Sequence, residues 1–144
     1  MNKYFLLVIV AVVILALGIG YKVFLRPQSS APVDTGRVKA FTVTTEKDQW
    51  SFAPDTIEVE RGDHVVLTVV NQDSYDHGIA IDAFGISQRM PAHQTIMVEF
   101  TATQAGEFPF YCSVPCGEGV VHGVKRGHFD MVGRIKVKDL GPSN

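Results

Sequence analysis

Cys112-Ser113-Val114-Pro115-Cys116 places two thiols four residues apart, and His128-Phe129-Asp130-Met131 adds an imidazole and a thioether a short way downstream. His77 offers a second imidazole from the middle of the chain. Two thiolates, two imidazoles and a thioether form a soft donor set, the kind that selects copper. Spacing alone leaves other uses open. The cysteines could pair as a disulfide in an exported protein, or join the histidines in a zinc site, which gains little from a thioether. Met131 taken alone reads as a core residue at the start of a strand. His64 and His93 read as solvated, and Trp50 as a core filler. No nucleophile–base pair and no phosphate loop accompanies these residues. Gly117-x-Gly119 is too short for a dinucleotide fingerprint and follows a cysteine rather than a strand-to-helix turn.

Donors this far apart in sequence meet only if the fold brings loops together, and the flanking segments read as strands. Residues 38–44 are rich in β-branched side chains, and 56–60 alternate apolar and polar with period two. Arg61-Gly62-Asp63 reads as a turn, followed by a strand over 64–70. Further strands are expected over 95–100, 107–111 and 132–138, with turns at 71–74 and 104–106. No segment after residue 37 keeps a 3.6-residue period. Several short strands separated by turns predict an all-β sandwich, in which loops at one end converge. Cys112 would then leave one strand where Met131 enters the last.

The 144 residues carry 13 basic and 15 acidic side chains. The balance is uneven: the first 26 residues hold Lys3, Lys22 and Arg26 and no acid, and the remainder holds ten bases and fifteen acids. An acidic domain lacks the basic face that phosphate neutralisation needs, so nucleic acid is not an expected partner. Residues 4–21 carry no charge. As a helix they would be about 27 Å long, close to the hydrocarbon thickness of a bilayer. Lys22 can snorkel, which extends the run through Leu25. The expected organisation is a membrane anchor over 1–26, a Pro/Ser/Gly linker over 27–36 and a globular domain over 37–140. A cleaved signal peptide, with Ser29 and Ala31 as a late cleavage site, is the competing reading.

The domain resembles a known family. Trp50-x-Phe52-x-Pro54 and Ile57-x-Val59-x-x-Gly62-Asp63 look like the opening of many cupredoxins. Asp76-His77-Gly78 and the run from Gly106 through Cys112-Ser113-x-x-Cys116-Gly117-Glu118-Gly119 resemble the CuA domain of cytochrome c oxidase subunit II. The resemblance covers about residues 40–138. It implies a cupredoxin-like Greek-key β-sandwich holding two copper ions. His77, Cys112, Cys116, His128 and Met131 would be the side-chain ligands. Val114 would contribute its backbone carbonyl, where the family has Glu. The chain departs from the family between Cys116 and the histidine, with eleven residues, Gly117 to Gly127, where the family has three. His128 is the expected ligand because it keeps the His-x-x-Met spacing; His122, inside the insertion, is the fallback.

The function so implied is one-electron transfer by a membrane-anchored copper protein, with bridging thiolates sharing the electron between two metal ions. No catalysis is expected from this chain alone. Phe108, Phe110 and Phe129 are expected to form an apolar shell. A redox partner such as a c-type cytochrome is implied, and a haem–copper oxidase catalytic subunit is a further candidate. The copper domain would lie on the extracytoplasmic side of the cell membrane, and Lys125 and Arg126 would face an acidic patch on a partner. The alternatives are a mononuclear type 1 or red-type site, and a copper chaperone or sensor.

Overall fold

The computed structural model describes residues 3–21 and 34–139. The chain divides into two compact units, Met1–Ala31 and Pro32–Asn144. In the first, helix α1 spans Lys3–Gly20, and its described large apolar side chains are exposed, Val8, Leu15 and Leu17 among them. Its 18 residues fall just short of the ~20 that cross a bilayer. Among the described residues no helix is long and apolar enough to cross a membrane. Residues 22–33 lie outside the described residues. So do the flanking Lys22 to Arg26, the candidate cleavage site and most of the expected linker.

The second unit is built from strands β1 (Val38–Thr45), β2 (Phe52–Ala53), β3 (Thr56–Glu60), β4 (His64–Asn71), β5 (His77–Ile81), β6 (Ile86–Met90), β7 (Thr95–Thr101), β8 (Gly106–Tyr111), β9 (Glu118–Val121), β10 (Val124–Gly127) and β11 (Val132–Lys138). One sheet has the order β2-β1-β4-β7 and the other β3-β11-β8-β5-β6. β1 runs parallel to β4 and β3 parallel to β11. The expected sandwich is present, and six of its strands lie where the sequence pattern puts them.

Period-two burial explains the layering. Every second residue of β4 is buried, from Val65 to Asn71, and β11 buries Gly133, Ile135 and Val137. The inward side chains of the two sheets meet in one core that includes Leu67, Phe100, Phe110 and Ile135. β5 differs: all five of its residues are buried, so it shows no alternation in sequence. Gly133 is required by packing, because a Cβ there would run into the Phe110 ring.

The insertion between Cys116 and His128 is an antiparallel hairpin of its own, β9 against β10. Its two-residue turn, His122-Gly123, has φ of 49° and 81°, the left-handed pair that a primed hairpin turn needs.

Candidate metal centre

Three strand ends deliver the donors. Cys112 directly follows β8, and its N–H donates to the Met131 carbonyl at 3.0 Å. That bond continues the β8–β11 ladder, in which Tyr111 faces Val132, and so sets Cys112 beside Met131. His77 opens β5, which pairs with β8 at Ala80 and Tyr111. The next residue, Gly78, donates its N–H to Cys112 Sγ at 3.4 Å. A Cβ at that position would run into Ser113 Oγ and stand 3.1 Å from the Ser113 backbone nitrogen. His128 begins a short 3-10 turn, His128–Asp130, and its N–H donates to the Gly117 carbonyl at 3.0 Å.

The donor atoms converge. Cys112 Sγ and Cys116 Sγ are 3.6 Å apart, and both cysteines are free thiols. A disulfide would hold the sulfurs at about 2.0 Å, so that reading of the pair is set aside. His77 Nδ1 lies 3.8 Å from Cys112 Sγ, and His128 Nδ1 lies 3.8 Å from Cys116 Sγ. Met131 Sδ is 3.6 Å from Cys116 Sγ, and the Val114 carbonyl is 3.1 Å from Cys112 Sγ. All six sequence-predicted residues therefore stand in one cluster, with an imidazole Nδ1 at 3.8 Å from each thiol sulfur. Ligand atoms of His77, Cys112 and Cys116 lie within 4.8 Å of one another, and all three residues are buried.

The electrostatics of the cluster are unbalanced. Burial opposes ionisation of Cys112, yet the His77 hydrogen bond, the backbone at Val114 and Gly78, and His128 together bring its thiol down to about 6. Burial and the charge on Cys112 push Cys116 up to about 12. Burial works against charging His77, but Cys112 and the Asp73 carboxylate outweigh it and raise its pKa. One thiolate is thus readily formed, and the second is resisted by its neighbour. A bound cation removes that resistance, because a coordinating thiol is deprotonated outright. Soft sulfur donors with imidazole suit copper, so the residues present fit that metal.

Sequence reasoning did not identify Asp73. Its carboxylate is fully buried, and Oδ2 faces His77 Nε2 at 3.3 Å. A carboxylate on the outer nitrogen fixes the ring's orientation and leaves Nδ1 for a metal. The only signal was an Asp four residues before the histidine, hidden in a segment that reads as a turn. Trp50 was read as a core filler; it is buried, and its indole N–H also donates to the Cys116 carbonyl at 3.1 Å. His122 is exposed at the hairpin tip. His64 is half exposed and faces Glu99 at 3.3 Å, and His93 is exposed. Phe129 corrects an expectation: it is 91% exposed, touching the His128 ring edge-on with centroids 5.0 Å apart, whereas Phe110 is fully buried. The 3-10 turn that aims His128 inward turns its neighbour outward. Lys125 and Arg126 are paired with Glu118 at 2.8 Å and Asp130 at 3.7 Å, so much of their charge is balanced locally.

Residues 8–136 match the model of the cupredoxin-like domain family. The chain is 34% identical over 83 residues to nitrous-oxide reductase of Pseudomonas fluorescens, an alignment covering 56% of this chain. It spans only 12% of that enzyme's length. It is 27% identical over 111 residues to cytochrome c oxidase subunit 2 of Thermus thermophilus, covering 77% of this chain and 75% of the relative. Among solved structures, auracyanin A, a blue copper protein of Chloroflexus aurantiacus, superposes with a TM-score of 0.56 at 16% identity. That superposition covers 70% of this chain and 99% of auracyanin A. A likeness at that identity speaks to the fold alone.

Proposed function

We propose that this chain, which belongs to the cupredoxin-like family, carries a CuA-like centre of two copper ions and transfers single electrons. The observation that carries the reading is the paired arrangement of donors. Two reduced sulfurs stand 3.6 Å apart, and each has an imidazole Nδ1 at 3.8 Å. A mononuclear blue-copper site needs only one of the two thiols; here both are buried and both have partners. Copper bound there would supply one-electron oxidation and reduction. Cys112 and Cys116 would bridge, His77 and His128 would each be a terminal ligand, and Met131 and the Val114 carbonyl would be weak ligands.

The chain's own groups prepare that binding. Asp73 holds the His77 ring so that Nδ1 faces the sulfurs. The Gly78 N–H stabilises the Cys112 thiolate. The two sheets fix the strand ends that carry the donors. Slight movement on oxidation is what makes electron transfer fast, and the protein's contribution is ligands, burial and orientation.

The domain over 37–140 is proposed to work from a membrane anchor. Helix α1 exposes apolar side chains along its whole length, and the uncharged run continues through Tyr21. The orientation proposed is with the copper domain extracytoplasmic, exchanging electrons with a c-type cytochrome or a haem–copper oxidase. The resemblance to an oxidase subunit supports that association.

Copper quantification with an EPR spectrum of a chain starting at Arg37 tests the reading. Two coppers per chain, with one unpaired electron shared between two nuclei, is the expected result. One copper with a single-nucleus pattern overturns the binuclear assignment in favour of a mononuclear site. Copper held as Cu(I) that does not cycle reversibly without metal loss makes the protein a chaperone or sensor instead.

A further inference from the structure

The loop between β1 and β2 holds two non-glycine residues in left-handed backbone, Asp48 at φ 56° and Trp50 at φ 46°. For a bulky side chain such as Trp this conformation is costly and persists only where the surroundings hold it. Both residues are held by the supports of the metal centre. The Asp48 N–H donates to Asp73 Oδ2 at 3.2 Å, the same oxygen that faces His77 Nε2. The Trp50 indole N–H donates to the Cys116 carbonyl. One short loop therefore reaches both halves of the cluster.

The Cys116 contact is well placed to govern position. The next carbonyl, on Gly117, accepts the His128 N–H. The orientation of these two peptides thus decides where Cys116 Sγ and His128 Nδ1 both stand. The indole itself is confined. Tyr75 stacks on it with centroids 6.1 Å apart and planes at 28°. Gly119 of the hairpin lies against the ring so closely that a Cβ there would collide with it.

We propose that Trp50 is a positioning residue of the copper centre, its indole locking the Cys116 peptide while the Asp48–Asp73–His77 chain locks the other imidazole. The proposal rests on the copper reading above. It assigns the strained loop a role in holding the two ligand pairs at a fixed separation. It also explains why the hairpin carries glycine at position 119.

Three variants test it. Trp50→Phe keeps a ring and removes the donor. Gly119→Ala keeps the indole and pushes it off the carbonyl. Phe52→Leu, in the core beside the loop, loosens packing against Phe110 and removes no hydrogen bond of the cluster. In the metal-free wild type the indole N–H should exchange with solvent at least about tenfold more slowly than in Gly119→Ala, as a buried, bonded donor does. Trp50→Phe and Gly119→Ala should each weaken copper binding about 10–100-fold, the usual effect of losing an outer partner of a ligand. Both should shift the copper absorption and EPR parameters in the same direction, and Phe52→Leu should leave them alone. The proposal is overturned if Trp50→Phe and Gly119→Ala, both folded, keep wild-type copper affinity and spectra, or if Phe52→Leu shifts the spectrum equally. Should Trp50→Phe fail to fold, Gly119→Ala decides alone. The wild-type copper count and the metal-free exchange rate are separate measurements, so failure of the binuclear reading is not confused with failure of this one.

Discussion

Replacing Cys116 with Ser is the most informative single perturbation of the centre. Its Sγ is the hub of the cluster, 3.6 Å from Cys112 Sγ, 3.6 Å from Met131 Sδ and 3.8 Å from His128 Nδ1. Substitution replaces a soft thiolate by a hard hydroxyl, which copper prefers far less. It also removes the sulfur that stands beside Met131 Sδ and His128 Nδ1. What remains around the Cys112 sulfur is His77, the Val114 carbonyl and His128, enough for one copper at most. The expected change is from two coppers per chain to one or none. Losing even an outer-shell partner costs about 10–100-fold in metal affinity, so losing this bridge should cost the second site more than about 100-fold. The fold should survive, because Ser is close in size and the two sheets do not depend on the thiol. Copper analysis after anaerobic loading, with EPR on the same sample and circular dichroism as a folding control, is the assay. A folded Cys116→Ser protein that still binds two coppers with an unaltered spectrum refutes the assignment of Cys116 as a bridge.

Met131 is fully buried, and Met131→Leu is close to volume-conserving, so it should cost under about 1.5 kcal/mol of stability. Voltammetry should then show a shifted reduction potential with most of the copper retained; loss of all copper would make the thioether a principal ligand. His128→Ala should disrupt the centre and His122→Ala should leave it intact, since only His128 meets a sulfur; copper analysis giving the reverse result overturns the ligand choice. Gly133→Ala drives a methyl group into Phe110, an overpacking expected to cost about 1–3 kcal/mol and to lower the melting temperature by roughly 4–8 °C per kcal/mol for a domain of this size. An unchanged melting curve would contradict that packing. Neutralising Lys125 and Arg126 should change association with a redox partner by only a small factor, because Glu118 and Asp130 already pair with them. A large loss of salt dependence in stopped-flow electron transfer would show that these cations dock a partner despite that pairing.

Much of the sandwich was legible because half-buried strands advertise themselves. The expected 56–60 and 132–138 coincide with β3 and β11, whose burial alternates. β5 was missed for the complementary reason: His77 to Ile81 are all buried, so there is no polar face to betray the strand. The candidate donors stood out in the sequence because soft ligands are rare and their local spacing is short. Asp73 and Trp50 did not, because what they do depends on contacts across the fold. Trp50 and the carbonyl it binds are 66 positions apart, and no local pattern encodes that. Phe129 was misjudged because the direction of a side chain in a single 3-10 turn is set by the turn and not by hydrophobicity.

The insertion shows how a sequence departure can leave a site's geometry almost untouched. Read along the chain, eleven residues separate Cys116 from His128, enough to carry the imidazole far from the sulfurs. Read in space, the detour closes on itself. Glu118 pairs with Gly127 at the base of the hairpin, and His128 donates its N–H to Gly117. The Asp130 carboxylate accepts the Gly127 N–H at 2.8 Å, which fixes the turn bearing His128. Gly127 makes the closure feasible, since a Cβ there would stand 3.0 Å from the Gly117 carbonyl oxygen. The chain therefore leaves and re-enters the ligand loop at neighbouring points, and His128 follows Gly117 in space nearly as if the hairpin were absent. Extra length was admitted where an antiparallel pair could absorb it, at an exposed loop whose two ends are already close. The constraint that survives is the one the strands impose: Cys112 bonded to Met131 across β8 and β11, with the histidine three residues before the methionine and bound to the loop that carries the second thiol.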